Sequence, residues 1–516
     1  MPAAAPTRVE RAFLSKAQFL ISTSSKVAFH ILGCRAVLPA MNSNLGSVAN
    51  DAHVQSMLNK YHLSTRGACN YAYRDVWGPR EKSMGDPWSP ANPAGTVILR
   101  LAENSLMHKE VGEFLRAQMN VSPVEHLTYS TGPRGSRRLR RAAAAFLTER
   151  FHSQKHTTYH NILVTPGLAS AIDGITFAIC NEGDGILIPQ PLYNGFKVDI
   201  LNRSNVRVVG VKYEGIEGFT GLDDLFLPDV NKVALETALR QAKDEGINIR
   251  ALLVSNPHNP LGRCYPPETL REFASFCGKN DLHFISDEIY AFSVFPNPKI
   301  PKPTPFTSIL ALNLHGVIDP ARMHILYGAS KDFCANGLRM GFVCTNNEGI
   351  MGAMSSIGIF SWSPHVLQDA WAAMMEDKQW VERFMTQKRD LMVDRYKMIT
   401  AFLSKHGIPY YEMNAGLFVW VDLRHLLVSK SSAQQSDYSA VRVTSPDAPV
   451  NLQRELRIAE ICVKNGVMIA PGHVYLPEEH GWFRITFTVG KEALEEGLNR
   501  FLASIKEIEA ESQDRI

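Results

Sequence analysis

Short, nearly unbroken apolar runs punctuate the middle of the chain. They are 161–164, 185–188, 206–211, 251–254, 282–285 and 341–344. Between them lie longer stretches whose apolar residues recur at the three- and four-residue spacing of amphipathic helices. A strand that is apolar along its whole length must be covered on both faces. The alternation therefore predicts an α/β fold with a mostly parallel sheet sandwiched by helices. A further strand-like run, 97–101, precedes this region. From Glu348 onward the texture changes. One long helix is expected over 364–406, then a strand over 416–421, a polar loop at 429–449, a helix, a short strand at 467–469 and a final helix.

At 516 residues the chain exceeds what one ordinary core can organise. The expected organisation is an N-terminal extension over 1–45, an arm and part of a small domain over 46–128, a large domain over 129–347, and a C-terminal small domain over 348–516 that carries the inserted loop 429–449. The smaller α+β domain would thus combine N-terminal and C-terminal segments. A formal net charge of +3 gives no electrostatic case for nucleic acid or an anionic membrane. No apolar run reaches the length of a membrane span. The eight cysteines are scattered with no Cys-x-x-Cys pair, which argues against a zinc site or a disulfide framework and suits a reducing compartment. The first 50 residues carry Arg8, Arg11, Lys16, Lys26 and Arg35 against the single acid Glu10. Such a composition fits a mitochondrial targeting segment, a disordered extension, or a start at Met41. The cytoplasm is the expected compartment and the mitochondrion the alternative.

Ligands of open α/β sheets bind beyond the carboxyl ends of the strands, and here those ends carry pointed chemistry. After 161–164 comes Thr165-Pro166-Gly167-Leu168-Ala169, where a glycine turn into a helix would aim free N–H groups at a phosphate. After 185–188 comes Tyr193, an aromatic able to stack on a flat ring. The run Ser255-Asn256-Pro257-His258-Asn259-Pro260 would present the Asn259 amide rigidly. Asp287 closes the next strand, with Tyr290 just beyond it. A carboxylate there could pair with a protonated ring nitrogen. Then come Ser330, Lys331 and Arg339: an amine for a Schiff base and a guanidinium for a phosphate. Taken singly, each has a bland reading: turn, core aromatic, helix cap, surface charge.

The order Gly167, Tyr193, Asn259, Asp287, Tyr290, Lys331, Arg339, with its internal spacings, resembles the class I/II (fold-type I) pyridoxal phosphate-dependent aminotransferases. Within them it is most similar to 1-aminocyclopropane-1-carboxylate (ACC) synthase-like enzymes. The runs Leu101-Ala102-Glu103-Asn104-Ser105-Leu106, Ser330-Lys331-Asp332 and Gly481-Trp482-Phe483-Arg484 carry that likeness. It implies pyridoxal 5'-phosphate (PLP) as cofactor, bound through a Lys331 aldimine, and a large PLP-binding domain. Gly167, Leu168, Ala169, Ser330 and Arg339 would hold the phosphate, and Asn259 and Tyr290 would reach the phenolic oxygen. Arg484 would grip the substrate α-carboxylate, with Glu103 and Asn259 nearby. Tyr129 would reach the phosphate in the neighbouring subunit of a homodimer. Three positions depart from the pattern. Gly328 replaces a serine, Leu168-Ala169 lacks a hydroxyl, and His126-Leu127-Thr128 replaces the Phe-Gln-Asp of plant ACC synthases.

The resemblance implies a small-molecule amino substrate, amino acid metabolism, and Cα deprotonation by the released Lys331 amine. Aminotransferase activity is expected. The alternatives are ACC synthase-like or carbon–sulfur lyase elimination, compatible with secondary metabolism, and a non-catalytic PLP-fold binding protein.

Overall fold

A computed structural model of the protein describes residues 51–75, 81, 84–428, 430–434 and 436–513. The N-terminal extension 1–45 and its targeting reading lie outside the described residues, as do positions 429 and 435.

The described residues between Asp51 and Gly85 belong to one compact unit. Its helix Ala52–Tyr61 is capped by Asp51, whose carboxylate accepts the amides of His53 and Val54 at 2.8 and 3.2 Å. Its small core gathers Val54, Ala68, Cys69 and Tyr73.

Residues 86–516 form the second unit. Strand β1 (Val97–Ile98) opens it. Seven strands then build one sheet: β2 (Ile162–Thr165), β3 (Gly185–Pro189), β4 (Arg207–Val211), β5 (Ile249–Ser255), β6 (His283–Asp287), β7 (Met323–Gly328) and β8 (Gly341–Thr345). Their order is β2-β8-β7-β6-β5-β3-β4, and only β8 runs against the rest. Successive side chains of a strand point to opposite faces, and here both faces are buried. Ile162, Val164, Leu187, Leu252, Phe284, Ile325 and Phe342 enter one core cluster. Leu163, Ile186, Ile188, Leu253, Ile285, Leu326 and Val343 enter the other. That is why the runs read as unbroken apolar segments.

A second sheet is antiparallel. It holds β9 (Tyr410–Tyr411), β10 (Phe418–Asp422), β12 (Ala470–Pro471) and β13 (Trp482–Thr486), in the order β12-β13-β10-β9. Strand β11 (Val467–Met468) pairs in parallel with β1. Val97 and Leu99 share a core with Phe483, Ile485 and Leu498, so residues from before and after the large sheet pack together.

The single helix expected over 364–406 is two, His365–Glu376 and Lys378–Lys405. Asp377 divides them. Its backbone is non-helical and its carboxylate accepts the Trp380 amide at 2.8 Å, so the second helix starts afresh. The polar run is not all loop either. Lys430–Gln434 and Ser439–Val441 are short helical turns, and the helix Ala448–Lys464 begins within it. Among the described residues no helix is long and apolar enough to cross a membrane.

Candidate active site

The parallel strands end along one edge of the sheet, and every end but that of β4 delivers a predicted residue. Beyond β2, Gly167 sits at φ +79, and a Cβ there would lie 2.4 Å from Nη2 of Arg339. Only glycine lets the backbone come that close. The helix Gly167–Ile179 starts at this point, with Leu168 partly buried and Ala169 exposed beside it. Beyond β3, the partly buried Tyr193 ring meets Phe196 edge-on at 5.2 Å. The turn after β5 is pinned by Asn256, whose side chain accepts the Tyr265 amide and donates to the Thr307 carbonyl. Asn259 is thereby held buried. Because β8 runs backwards, its start rather than its end lies on this edge. Gly341 pairs with both Gly328 and Thr165. Arg339, just before it, therefore arrives beside Gly167, where it donates to the Asn336 and Pro166 carbonyls at 2.9 and 3.4 Å.

Asp287 ends β6, buried, accepting the Ile289 amide at 3.2 Å. No ion pair to it is found among the described residues, and burial pushes its carboxyl up to about 7. Tyr290 is buried edge-on to Phe418 at 5.8 Å, and burial raises its phenol far above the usual range. Lys331 sits in the short helix Ala329–Asp332 after β7, next to the buried Ser330, and its amine donates to the Ala102 carbonyl. Burial, then the Arg484 charge, bring that amine down to about 8. Arg339 adds to this, while Glu103 and Asp287 pull the other way. These groups therefore share one electrostatic neighbourhood.

Arg484 comes from the second sheet, opposite Trp420 on β10 and Ala470 on β12. Its buried guanidinium lies over the rings of Phe418 and Tyr475, at 4.6 and 4.9 Å. It donates to Asn259 Oδ1 at 2.9 Å and to the Arg100 carbonyl at 3.0 Å. Its Nε is buried with no hydrogen-bond partner among the described residues. Glu103 accepts from Asn336 Nδ2 at 2.6 Å. Tyr129 is not brought to this group. It is 83% exposed, with Trp362 as its ring neighbour at 6.3 Å.

Sequence reasoning missed several supports. Asp332 is fully buried and accepts from Phe292 N–H (2.9 Å), Ser293 Oγ (2.7 Å), Tyr327 OH (3.1 Å) and Lys388 Nζ (3.4 Å). It anchors the turn that carries Lys331. Glu455, on the helix Ala448–Lys464, forms a buried cluster with His473 and His480 from the other sheet's connections. Asp332 stood inside a recognised motif. The others have no local sequence signal, since their partners are distant in the chain.

The donor set fits PLP. A glycine-lined helix start beside an arginine suits a phosphate. A buried carboxylate lacking a cationic partner suits a protonated ring nitrogen, and a half-buried amine of lowered basicity suits an aldehyde. Residues 96–501 match the family model described as aminotransferase class I and II. The chain belongs to this family. As a class I/II aminotransferase family member its cofactor is PLP. A probable aminotransferase, gliI, of Aspergillus fumigatus is 33% identical over 409 residues, covering 78% of this chain and 88% of that protein. ACC synthase 1 of Cucurbita pepo is 28% identical over 480 residues, covering 90% and 89%. Among solved structures, a Thermus thermophilus aspartate aminotransferase tetra mutant complexed with tryptophan superposes with a TM-score of 0.64 at 22% identity, over 86% of this chain and 99% of that one. The fold-type I architecture follows from that superposition and from the mostly parallel sheet.

Proposed function

We propose that this protein is a PLP-dependent aminotransferase acting on an α-amino acid. The observation that carries the reading is the Lys331 amine, half-buried near Asp287, Glu103, Arg339 and Arg484 and brought down to about 8. When bound, PLP supplies an electron-withdrawing ring that takes up the charge left by removal of a Cα proton. The Lys331 amine takes that proton, since its lowered basicity leaves about a tenth of it neutral at pH 7, far more than an ordinary lysine. Asp287 receives the ring N–H, which relieves the burial penalty on its carboxylate. Asn259 and Tyr290 address the phenolic oxygen, and Tyr193 stacks on the ring. The amides of Gly167, Leu168 and Ala169, with Ser330 and Arg339, hold the phosphate. Arg484 grips the substrate carboxylate in a two-pronged bridge, with Glu103 on the amine or side-chain side. Tyr129 serves the phosphate of the partner subunit in a homodimer, which accounts for its exposure in one chain. The seven cysteines among the described residues are unbridged, which supports a reducing compartment, the cytoplasm.

A second reading, ACC synthase-like or carbon–sulfur lyase elimination, is favoured by the likeness to an ACC synthase along 90% of the chain. Product analysis separates the two. The purified protein is incubated with a panel of amino acids, S-adenosylmethionine and cysteine conjugates, with and without a keto-acid acceptor. Keto acid formed only with acceptor supports transamination. Acceptor-independent release of ammonia, thiol or ACC overturns it. A colourless protein that takes up no PLP removes both readings.

A further inference from the structure

Glu455, on the helix Ala448–Lys464, has no part in the chemistry above, yet it is fully buried beside the strand that carries Arg484. Its carboxylate accepts four N–H groups from two loops. From the first it takes the His473 amide and His473 Nδ1, each at 2.8 Å. From the second it takes His480 Nδ1 at 3.3 Å and the Gly481 amide at 2.9 Å. The first loop carries Tyr475, whose ring lies 4.9 Å from the Arg484 guanidinium. The second leads directly into β13 and Arg484. The two loops press backbone to backbone, because a Cβ on Gly472 would lie 2.4 Å from the Trp482 carbonyl oxygen. The Tyr475 carbonyl in turn accepts the Leu192 amide at 2.7 Å, which ties the first loop to the turn presenting Tyr193.

We infer that Glu455 is a positioning residue for substrate-carboxylate recognition. Through His473, His480 and Gly481 it fixes Arg484 against Tyr475. A four-donor carboxylate buried without solvent is a stiff joint, since every alternative loop arrangement strands a donor or the charge. Burial alone would raise its carboxyl, but the His473 and His480 bonds outweigh it and hold it down at about 2, so it stays charged throughout the working pH range. The inference rests on Arg484 as the carboxylate-binding residue, and the test separates the two.

L-alanine and ethylamine differ in one carboxylate, and both are small enough for any side-chain pocket. Their binding to the holoenzyme is followed by visible absorbance in wild type and in Glu455→Gln, His480→Leu, His480→Asn and Arg484→Lys variants. The glutamine places an NH2 against N–H donors. Leucine removes a donor, whereas asparagine places an amide nitrogen where His480 Nδ1 stands. The expected result is a loss of L-alanine affinity of roughly tenfold or more in Glu455→Gln and His480→Leu. Ethylamine affinity should be unchanged in both, and His480→Asn should be close to wild type. Equal weakening of both ligands, or of neither, overturns the inference. If Glu455→Gln does not fold, the His480 pair decides. If Arg484→Lys keeps the carboxylate preference, the reading of Arg484 fails and takes this one with it. If Arg484→Lys loses it and the clamp variants keep it, only the clamp fails.

Discussion

Two buried carboxylates, one at the end of a strand of the large sheet and one beside the second sheet, are treated in opposite ways. Asp287, at the end of β6, receives one backbone N–H, and burial pushes it up to about 7. Glu455, behind β13, receives four donors and is held down at about 2 despite equal burial. The difference lies in the donors, not the depth. A carboxylate left short of partners in a low-dielectric site favours an incoming proton or cation. One already saturated is a structural rivet. The first belongs where a cofactor nitrogen is to be held, the second where geometry must not change.

Several substitutions sharpen this contrast. Lys331→Ala should have the largest effect, a fall in turnover of about a thousandfold or more with the wild-type visible spectrum lost. Steady-state kinetics and an absorbance scan check it. Asp287→Asn should lower turnover by about a hundredfold, because the ring nitrogen loses its counter-charge. It should nonetheless leave the PLP-free protein as stable as wild type or more so. Glu455→Gln should do the reverse to stability, costing about 3 kcal/mol by setting donor against donor in the interior. Urea unfolding of the two variants side by side reads the opposite signs, and equal signs would break the comparison. Lys388→Met should cost a similar or smaller amount, since Asp332 keeps three other donors when its ion-pair partner goes.

The pH dependence has matching signs. Unfolded carboxylates titrate near 4. Asp287 titrates higher when folded, so its contribution is fully present below about 4 and is lost as pH rises through about 7. Glu455 titrates lower, so its contribution is present above about 4 and is lost as pH falls towards about 2. In melting scans of PLP-free protein, the advantage of Asp287→Asn over wild type should therefore grow between pH 4 and 7. The deficit of Glu455→Gln should shrink below pH 4.

The large sheet was legible because its strands are apolar on both faces, and because the edge residues follow each strand directly. Gly167, Asn259 and Asp287 each stand within a few residues of the end of an expected strand, so finding the strand finds the residue; β7, the strand before Lys331, is not among the expected runs, and Lys331 is legible only from its own motif. The division at Asp377 was not legible, since one capping side chain outweighed a continuous helical pattern. The polar run 429–449 concealed the short helical turns Lys430–Gln434 and Ser439–Val441, whose few residues carry no apolar periodicity, whereas the helix expected after it is present as Ala448–Lys464.

The sequence by itself determined the α/β fold, the family and the groups proposed to face the cofactor, because short-range chemistry and strand periodicity are written locally. The tertiary structure alone decided that reversed β8 brings Arg339 to Gly167, that Arg484 lies between Phe418 and Tyr475, and that Glu455 joins His473 to His480. Those are contacts between residues far apart in the chain. They exist only once both sheets have closed and water has left the space between them, where the count of hydrogen-bond donors sets whether a buried charge is poised or locked.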